Sequence, residues 1–356
     1  MNERFQNALR GEPQKIPPVW MMRQAGRYHR HYQSLKEKYT FVQLCKQPEL
    51  AAETALGPIQ DFDFDAAILF SDILFPLEAL GMGLEYSPGP VLDRRLETEA
   101  DLQSLRPHAD AIGHMQFQLE AVRLTRARLP NDKSLIGFIG GAWTLFTYAS
   151  AGDHGGHLIG AKTRQKLAHM FYERLIPLLV GNVELQLQGG AEVVMVFDTA
   201  AGELAPDLFA DLALPLVREL THIFPGKIGY YARATTQDHL RYVRSIQGLA
   251  GFGVDHRYEM ARLLQNNNGT GSNSDARNSP GERGNAGFVQ GNFDQALLFL
   301  NEDDFVPALE RYLRPLQILS PTERAGWICG LGHGVLPRTP ERNVRRFVEK
   351  VREVFA

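Results

Sequence analysis

Cysteine and long apolar runs are both scarce in this chain of 356 residues. Its only cysteines, Cys45 and Cys329, cannot build the disulfide framework of a small secreted domain, so we expect a cytoplasmic protein with two buried thiols. No apolar run approaches the ~20 residues of a membrane helix, and the first residues lack the apolar core of a signal peptide. We therefore expect no membrane partner.

A strong net charge is also lacking. The 38 Lys and Arg residues nearly balance the 41 Asp and Glu residues, which leaves a net charge of −3. A nucleic-acid partner is therefore not expected, and any anion site must be a local cluster of basic side chains. No His, Cys or Asp cluster has zinc-ligand spacing. Glycine motifs for phosphates or dinucleotides and Ser-His-Asp patterns are missing as well.

Short apolar, β-branched runs alternate with amphipathic stretches along the whole chain. This alternation predicts an α/β fold in which helices cover a parallel sheet. The predicted strands are residues 18–22, 66–70, 135–139, 192–197, 227–231, 249–254, 288–291 and 326–329. Eight strands favour a single (β/α)8 TIM barrel over residues 1–356, since such barrels typically take ~250 residues and insertions lengthen them. A doubly wound open sheet is the alternative.

The segment 266–287 interrupts this pattern because it is rich in Asn, Gly and Ser and has almost nothing apolar to bury. We expect it to be a flexible polar insertion. It lies between the sixth helix and the seventh strand of the predicted barrel. A helix-to-strand loop lies at the end of a barrel opposite the catalytic face, so we expect this insertion to lie away from the site.

Two arginines, Arg23 and Arg27, follow the first predicted strand. In a barrel the functional residues lie at the carboxyl ends of the strands. Charged groups avoid cores, whereas a guanidinium can hold a carboxylate through two parallel hydrogen bonds. An anion site and a solvated loop are therefore the two interpretations of this segment.

Other strands also end in polar residues. Asp72 could cap a helix, but the apolar residues after it favour a functional carboxylate. Tyr148 could be a core tyrosine with a satisfied hydroxyl, and Thr199 could cap a turn. His333 lies between two glycines, where no helix or strand face can bury it easily, so a ligand contact is favoured.

Together these stretches resemble the uroporphyrinogen decarboxylase family. The matching pieces are Pro18-Val19-Trp20 with Met22-Arg23-Gln24-Ala25-Gly26-Arg27-Tyr28, Phe70-Ser71-Asp72-Ile73-Leu74 with Leu80-Gly81-Met82, Trp143-Thr144-Leu145 with Thr147-Tyr148, Phe197-Asp198-Thr199 with Gly202, Gln290-Gly291-Asn292 with Asp294, and Leu331-Gly332-His333-Gly334. The resemblance spans nearly the whole chain in order, and the first two sets are highly specific. It implies a single (β/α)8 barrel, usually a homodimer.

The resemblance also implies a reaction. Members of the family remove carbon dioxide from the four acetate side chains of uroporphyrinogen III, which gives coproporphyrinogen III for heme biosynthesis, without a metal or organic cofactor. Asp72 would stabilise the cationic pyrrole, Tyr148 would orient Asp72, and Arg23 would organise the proton. The substrate-binding residues that the resemblance implies are Arg23, Gln24, Ala25, Gly26, Arg27, Asp72, Tyr148, Thr199 and His333.

The sequence departs from the family pattern in four places. The segment 266–287 is long, His256 and Gln295 replace a usual Trp and Pro, and the two residues after Thr199 are both alanine. Two other functions stay open. A related methyltransferase acting with corrinoid or thiol partners would need a zinc–thiolate site, for which the two cysteines lack a His-x-Cys context. A non-catalytic porphyrin-binding protein would not need Asp72 poised beside a cation.

Overall fold

Seven strands form one parallel sheet in the computed structural model, which describes residues 1–86, 89–270 and 287–356. The strands are β1 Ala66–Ile68, β2 Glu85–Tyr86, β3 Pro90–Val91, β4 Ser134–Gly140, β5 Val193–Phe197, β6 Ile228–Tyr231, β7 Leu249–Gly253, β8 Phe288–Phe293 and β9 Trp327–Leu331. The sheet order is β1-β4-β5-β6-β7-β8-β9, so neighbours in the sheet are also successive along the chain. Strands β2 and β3 form a separate antiparallel hairpin.

Helices separate successive strands of the sheet. They are α1 Glu3–Leu9, α2 Arg30–Lys36, α3 Phe41–Lys46, α4 Pro48–Phe62, α5 Phe75–Ala79, α6 Glu99–Gln103, α7 His108–Ala111, α8 Gln116–Arg128, α9 Ala142–Ala151, α10 Ile159–Lys162, α11 Gln165–Gly189, α12 Pro206–Leu212, α13 Leu214–Ile223, α14 Gln237–Arg244, α15 Met260–Asn267, α16 Glu302–Ile318 and α17 Glu341–Phe355. Helix α8 packs against α4 and α11, and α11 also packs against β4. Over the residues described, no helix has the length and apolar character that crossing a membrane requires.

Both faces of the sheet are buried. Along β5, Val194 and Val196 belong to the large apolar cluster that includes the helices, whereas Met195 points to the opposite face. That second face forms a smaller cluster, which also contains Ile68 of β1 and Ile328 of β9. Residues from the two edge strands therefore share one core. Burial on both faces explains why these strands appear in the sequence as continuous apolar runs.

The predicted strand 18–22 is present only as a single parallel bridge between Val19 and Cys329. The Trp20 N–H donates to the Cys329 carbonyl at 3.1 Å, and on the other side the Val19 carbonyl accepts from Asp65 at 3.0 Å. The segment therefore contacts β9 and the residue before β1. It is not a longer strand because Pro18 has no N–H and the Val19 N–H donates to the Asp65 carboxylate at 2.8 Å. The other seven predicted strands are present, with ends shifted by up to two residues.

The predicted insertion 266–287 lies mostly outside the described residues, because 271–286 are not described. At its start, the Asn267 amide donates to the Gly287 carbonyl at 3.2 Å. The Asn268 amide donates to the carbonyls of Glu323 and Ala325 at 2.9 and 3.1 Å. Both ends of the segment therefore lie beside the amino ends of β8 and β9.

Replacing residues 271–286 with a short glycine-serine linker should leave kcat/KM almost unchanged for the substrate that the resemblance implies. The ends of the segment lie at the amino ends of the strands, whereas chemistry in such sheets occurs at the carboxyl ends. Closing a shorter loop changes the unfolding free energy by only ≈0.6 kcal/mol per halving of length, so Tm should move little. Linkers of several lengths should be assayed for turnover and thermal unfolding. A large fall in kcat/KM at an unchanged Tm would contradict this placement.

Candidate active site

Arg23 follows the bridge at Val19 and has a left-handed backbone, with φ of 61°. This conformation is uncommon for a residue with a side chain and persists where the surroundings hold it. Gly334 lies against the arginine, because a Cβ at that glycine would stand 2.5 Å from its Cδ. Arg23 is exposed, and within the described ranges it forms no salt bridge. Its guanidinium is therefore available to an anionic ligand.

The rest of this motif divides between structural and exposed residues. Gln24 is fully buried, and its side-chain amide donates to the Ala66 carbonyl at 3.0 Å. This side chain therefore ties the motif to β1, which leaves only the backbone of Gln24 for a ligand. Ala25 and Gly26 are half-buried, and Arg27 is exposed, with no salt bridge to another described residue.

Asp72 lies beyond the end of β1 and is half-buried. Its Oδ1 accepts a hydrogen bond from the Leu74 N–H at 2.8 Å, in the turn before α5. Burial raises the pKa of the carboxyl group, whereas the Leu74 N–H, the Tyr86 hydroxyl and the positive charge of Arg23 lower it. The capping contact that the sequence allowed is thus present. The same carboxylate also interacts with a phenol and a guanidinium.

Tyr148 lies on α9, whose first turn is held by Asp198 at the end of β5. The Asp198 Oδ1 accepts from the Thr144 N–H at 2.8 Å and from its hydroxyl at 2.6 Å. The pKa of Tyr148 is raised to about 12, mainly by burial and also by the Asp72 charge, and the Arg23 charge opposes both. Three of the predicted residues, Arg23, Asp72 and Tyr148, are therefore close enough to act on one another electrostatically.

Asp198 itself supports the site from inside the protein. The pKa of this carboxyl group is raised to about 6, because burial outweighs the hydrogen bonds from Thr144 and Tyr230 that lower it. Gly141 lies directly against it, since a Cβ there would stand 2.2 Å from the Asp198 Cγ. The contacts of Asp198 are thus to α9 and β6, which is a structural role. The next residue, the predicted ligand contact Thr199, is half-buried at the same strand end.

His333 follows β9, and its ring stacks on Tyr231 with centroids 5.9 Å apart. Its Nδ1 lies 3.0 Å from the Tyr231 hydroxyl. The pKa of His333 is lowered to about 4, mainly by burial and then by the positive charges of Arg23 and Arg233, while Asp255 opposes them. The imidazole is therefore neutral at pH 7 when no ligand is bound.

Arg233 is a basic residue of this site that sequence reasoning missed. It follows β6, is exposed, and has no salt bridge to any residue that the structure describes. Its charge lowers the pKa values of His333 and His154. The next residue, Ala234, has a left-handed φ of 65°, so its backbone resembles that of Arg23. A signal was available, because Arg233 stands two residues after a predicted strand.

His154 and Tyr86 were also missed, and the sequence contained no comparable signal for them. The His154 ring lies 5.1 Å from that of Tyr148, and both residues line an open cavity of about 620 Å³. Among the described residues, the buried Tyr86 hydroxyl has no hydrogen bond of normal geometry, yet it lowers the pKa of Asp72. His154 lies on the loop after α9, and Tyr86 lies on the hairpin β2–β3. Neither residue follows a strand of the parallel sheet.

Cys45 and Cys329 belong to no candidate metal centre among the residues that the structure describes. In the described ranges, no three His, Cys, Asp or Glu side chains are grouped so that they could hold a metal ion. Cys45 and Cys329 are both buried, and burial raises the pKa of each thiol well above its usual value. The protonated thiol is a poor metal ligand.

Comparison with known proteins identifies the family. The model of the family described as uroporphyrinogen decarboxylase (URO-D) matches residues 1–354. The chain belongs to this family. The uroporphyrinogen decarboxylase of Chlorobium phaeobacteroides is 33% identical over 358 residues, which cover 99% of this chain and 97% of that protein. The uroporphyrinogen decarboxylase of a Synechococcus strain is 34% identical over 362 residues, covering 99% and 98%.

Solved structures share the fold of this uroporphyrinogen decarboxylase family member at lower identity. A methyltransferase from Methanosarcina mazei matches with a TM-score of 0.75 and 17% identity, covering 99% of this chain and 98% of its own. A B12-independent methionine synthase from Shewanella sp. W3-18-1 matches with a TM-score of 0.51 and 11% identity, covering 86% and 89%. At these identities, the similarity shows the α/β fold alone.

Changing Asp72→Asn should keep the fold and remove most of the turnover. Asparagine can still accept the Leu74 hydrogen bond, but it has no charge to stabilise a cation. Loss of one preorganised electrostatic contact costs about 10²–10³ in kcat. Because burial raises the pKa of Asp72, replacing the ionised group should leave Tm equal or higher at pH 7. Steady-state kinetics and thermal unfolding check both outcomes.

The pH profile provides a second test of Asp72. If the ionised carboxylate is required, kcat/KM should fall as the pH drops through its raised pKa, above the ordinary ~3.9 of aspartate. The Asp72→Asn variant should lack this acid limb. The matched control is Asp303→Asn, an exposed carboxylate in the first turn of α16. Near-normal turnover in the folded Asp72→Asn variant would show that Asp72 only caps the turn before α5.

Changing Arg23→Lys or Arg27→Lys should raise KM by about tenfold for an anionic substrate. Lysine keeps the charge but loses the two-pronged geometry, and hydrogen bonds to charged groups contribute about 1.5–3 kcal/mol. The matched control is Arg123→Lys on the outer helix α8, which should leave KM unchanged. Unchanged kinetic constants in both site variants would place the anion site elsewhere.

Proposed function

We propose that this chain is a uroporphyrinogen decarboxylase, which removes carbon dioxide from the four acetate side chains of uroporphyrinogen III and releases coproporphyrinogen III. One observation carries the proposal beyond family membership. Three guanidiniums without salt bridges to described residues, those of Arg23, Arg27 and Arg233, follow strand or bridge ends, and the charge of Arg23 acts on the half-buried carboxylate of Asp72. A substrate with eight carboxylates matches the arginines, and a pyrrole that becomes cationic matches Asp72.

The proposed chemistry needs no external electron acceptor. Protonation of a pyrrole carbon makes the ring cationic, so that the bond between the acetate methylene and its carboxylate can break and its electron pair can enter the ring. Carbon dioxide leaves, the methylene carbon takes up a proton to become a methyl group, and the ring loses the proton that it gained. Each side chain thus consumes one proton in total and releases one carbon dioxide.

Three side chains carry this chemistry in our proposal. Asp72 accepts hydrogen bonds from pyrrole N–H groups and stabilises the cationic ring, as a fixed charge does in a preorganised site. Tyr148 orients Asp72, and its high pKa keeps its hydroxyl protonated. Arg23 binds a carboxylate and organises the proton transfer. Because arginine keeps its proton at neutral pH, a bound carboxyl group or water is the better source of the proton itself.

Other residues would hold the remaining carboxylates. In our proposal the backbone of Gln24, Ala25 and Gly26 lines the site between the two arginines of the first motif, while Thr199 and His333 bind from the far strand ends. To these we add Arg233 and His154, because both act electrostatically on His333. The chain has a net charge of only −3, so this basic cluster is local, as an anion-binding site in a near-neutral protein must be.

We further propose that residues 1–356 are one domain with a closed (β/α)8 barrel. The segment 18–20 would serve as the first strand. Its hydrogen bonds to Cys329 on one side and Asp65 on the other support this arrangement. The inner cluster that joins Ile68 to Ile328 supports it as well.

The family resemblance and the composition carry the rest of the proposal. We infer a cytoplasmic homodimer that acts on a small molecule without a metal or organic cofactor and without nucleic-acid or membrane partners. The corrinoid or thiol methyltransferase is the weaker alternative, because it needs a zinc–thiolate site that neither cysteine is placed to form. A non-catalytic porphyrin-binding protein would bind the tetrapyrrole without turnover, and the assay below distinguishes it.

Incubation with uroporphyrinogen under reducing conditions tests the function. We expect products with seven, six and five carboxylates before coproporphyrinogen accumulates, and equal rates with and without a chelator. Chromatography that separates the oxidised products by carboxylate number gives the readout, and the Asp72→Asn variant serves as the inactive control. Loss of activity with chelator and recovery with zinc would contradict the cofactor-free reaction. Tight binding without product would favour the porphyrin-binding alternative.

A further inference from the structure

The Tyr231 hydroxyl contacts two groups but has only one hydrogen to donate. It lies 2.7 Å from the Gly332 carbonyl oxygen and 3.0 Å from the His333 Nδ1. A carbonyl oxygen can only accept, so the hydroxyl hydrogen points to Gly332. For the second contact to be a hydrogen bond, the Nδ1 of His333 must carry a proton and donate it to the tyrosine oxygen.

The parts of this arrangement are held rigidly. Tyr231 is the last residue of β6 and is fully buried, so its ring has no room to turn away. The Gly332 N–H donates to the Phe293 carbonyl at 2.7 Å, which ties the backbone at Gly332 to the end of β8. The rings of Tyr231 and His333 are almost parallel, at 14°. The donor and acceptor directions are therefore set by the fold.

We propose that Tyr231 is a positioning residue that holds His333 in its Nδ1–H form, and that His333 takes up a proton at Nε2 when a substrate carboxylate binds. The second part rests on the proposed function. In the neutral Nδ1–H form, Nε2 carries a lone pair, which would repel a carboxylate. A proton on Nε2 turns this atom into a donor while Nδ1 keeps its hydrogen bond to Tyr231. Among the described residues no hydrogen bond uses Nε2, so the atom is free for the ligand.

The surrounding charges explain why protonation would wait for the ligand. Arg23, Arg233 and His154 face His333 and disfavour a positive imidazole, and Asp255 opposes them. Asp255 is largely occupied, because it receives hydrogen bonds from Arg257 at 2.7 Å and from the Ala234 N–H at 2.7 Å. An incoming carboxylate would offset the positive charges of Arg23 and Arg233, and it would also accept a hydrogen bond from the newly protonated Nε2 of His333. Substrate binding and proton uptake would thus be coupled.

The tautomer is tested first in the free protein by NMR of ¹⁵N-labelled histidine at pH 7. The His333 signals are those lost in His333→Asn. We expect the wild-type ring to be protonated at Nδ1 and Tyr231→Phe to lose that preference in favour of Nε2–H. The matched control Tyr242→Phe, which removes an exposed hydroxyl bound to Asp207, should leave the His333 signals unchanged. A wild-type ring protonated at Nε2 would overturn the assignment.

Proton uptake is tested by calorimetry with coproporphyrinogen, under anaerobic reducing conditions, in two buffers of different ionisation enthalpy. We expect about one proton to be taken up per site in the wild type and none in His333→Asn. The Tyr231→Phe variant should take up fewer protons, because the neutral imidazole of its His333 can present Nε2–H to the ligand. The KM of this variant should rise by about tenfold, with a smaller change in kcat. Binding without proton uptake in the wild type would overturn the coupling. Failure of any tetrapyrrole to bind would instead contradict the proposed function and leave the NMR result standing on its own.

Discussion

The positive charge of Arg23 is the interaction on which the rest of this site depends. It lowers the pKa of Asp72 against the effect of burial, and it lowers the pKa values of Tyr148, His154 and His333 as well. One guanidinium thus favours an ionised carboxylate and neutral imidazoles in the same space. Its left-handed backbone and its packing on Gly334 hold it in place, so local backbone geometry contributes, after burial, to the protonation states of the site.

The opposite side of the site depends on the fully buried carboxylate of Asp198. Asp198 holds the first turn of α9 through Thr144, and Tyr148 follows one turn later on the same helix. The N-cap residue of α9, Gly141, has no side chain to cap the helix, so Asp198 holds this helix end instead. Burial raises the pKa of Asp198, which means that keeping its carboxylate ionised at this position costs free energy. The burial of the Asp198 carboxylate and the position of the Tyr148 phenol are therefore linked.

Much of this arrangement could be predicted from residues that follow apolar runs. Parallel strands end at one edge, so Arg23, Asp72 and His333 were expected to lie together although they are far apart in the chain. The same rule applied to Arg233, which was overlooked. The backbone of Gln24 stays a proposed ligand contact, and only the tertiary structure shows that the side chain of Gln24 binds the Ala66 carbonyl. Nothing in the strand pattern could indicate Tyr86 or His154, which reach the site from a hairpin and a loop.

The sequence by itself determined the family, the parallel α/β sheet and the residues at the strand ends, because these depend on local patterns of burial and on motif spacing. The tertiary structure decided which polar groups act on one another. Whether Asp72 meets a phenol, whether His333 is neutral, and which atom the Tyr231 hydroxyl faces depend on side chains separated by as many as 310 positions, such as Arg23 and His333. Burial and distance set these protonation states, and neither quantity exists until the chain has folded.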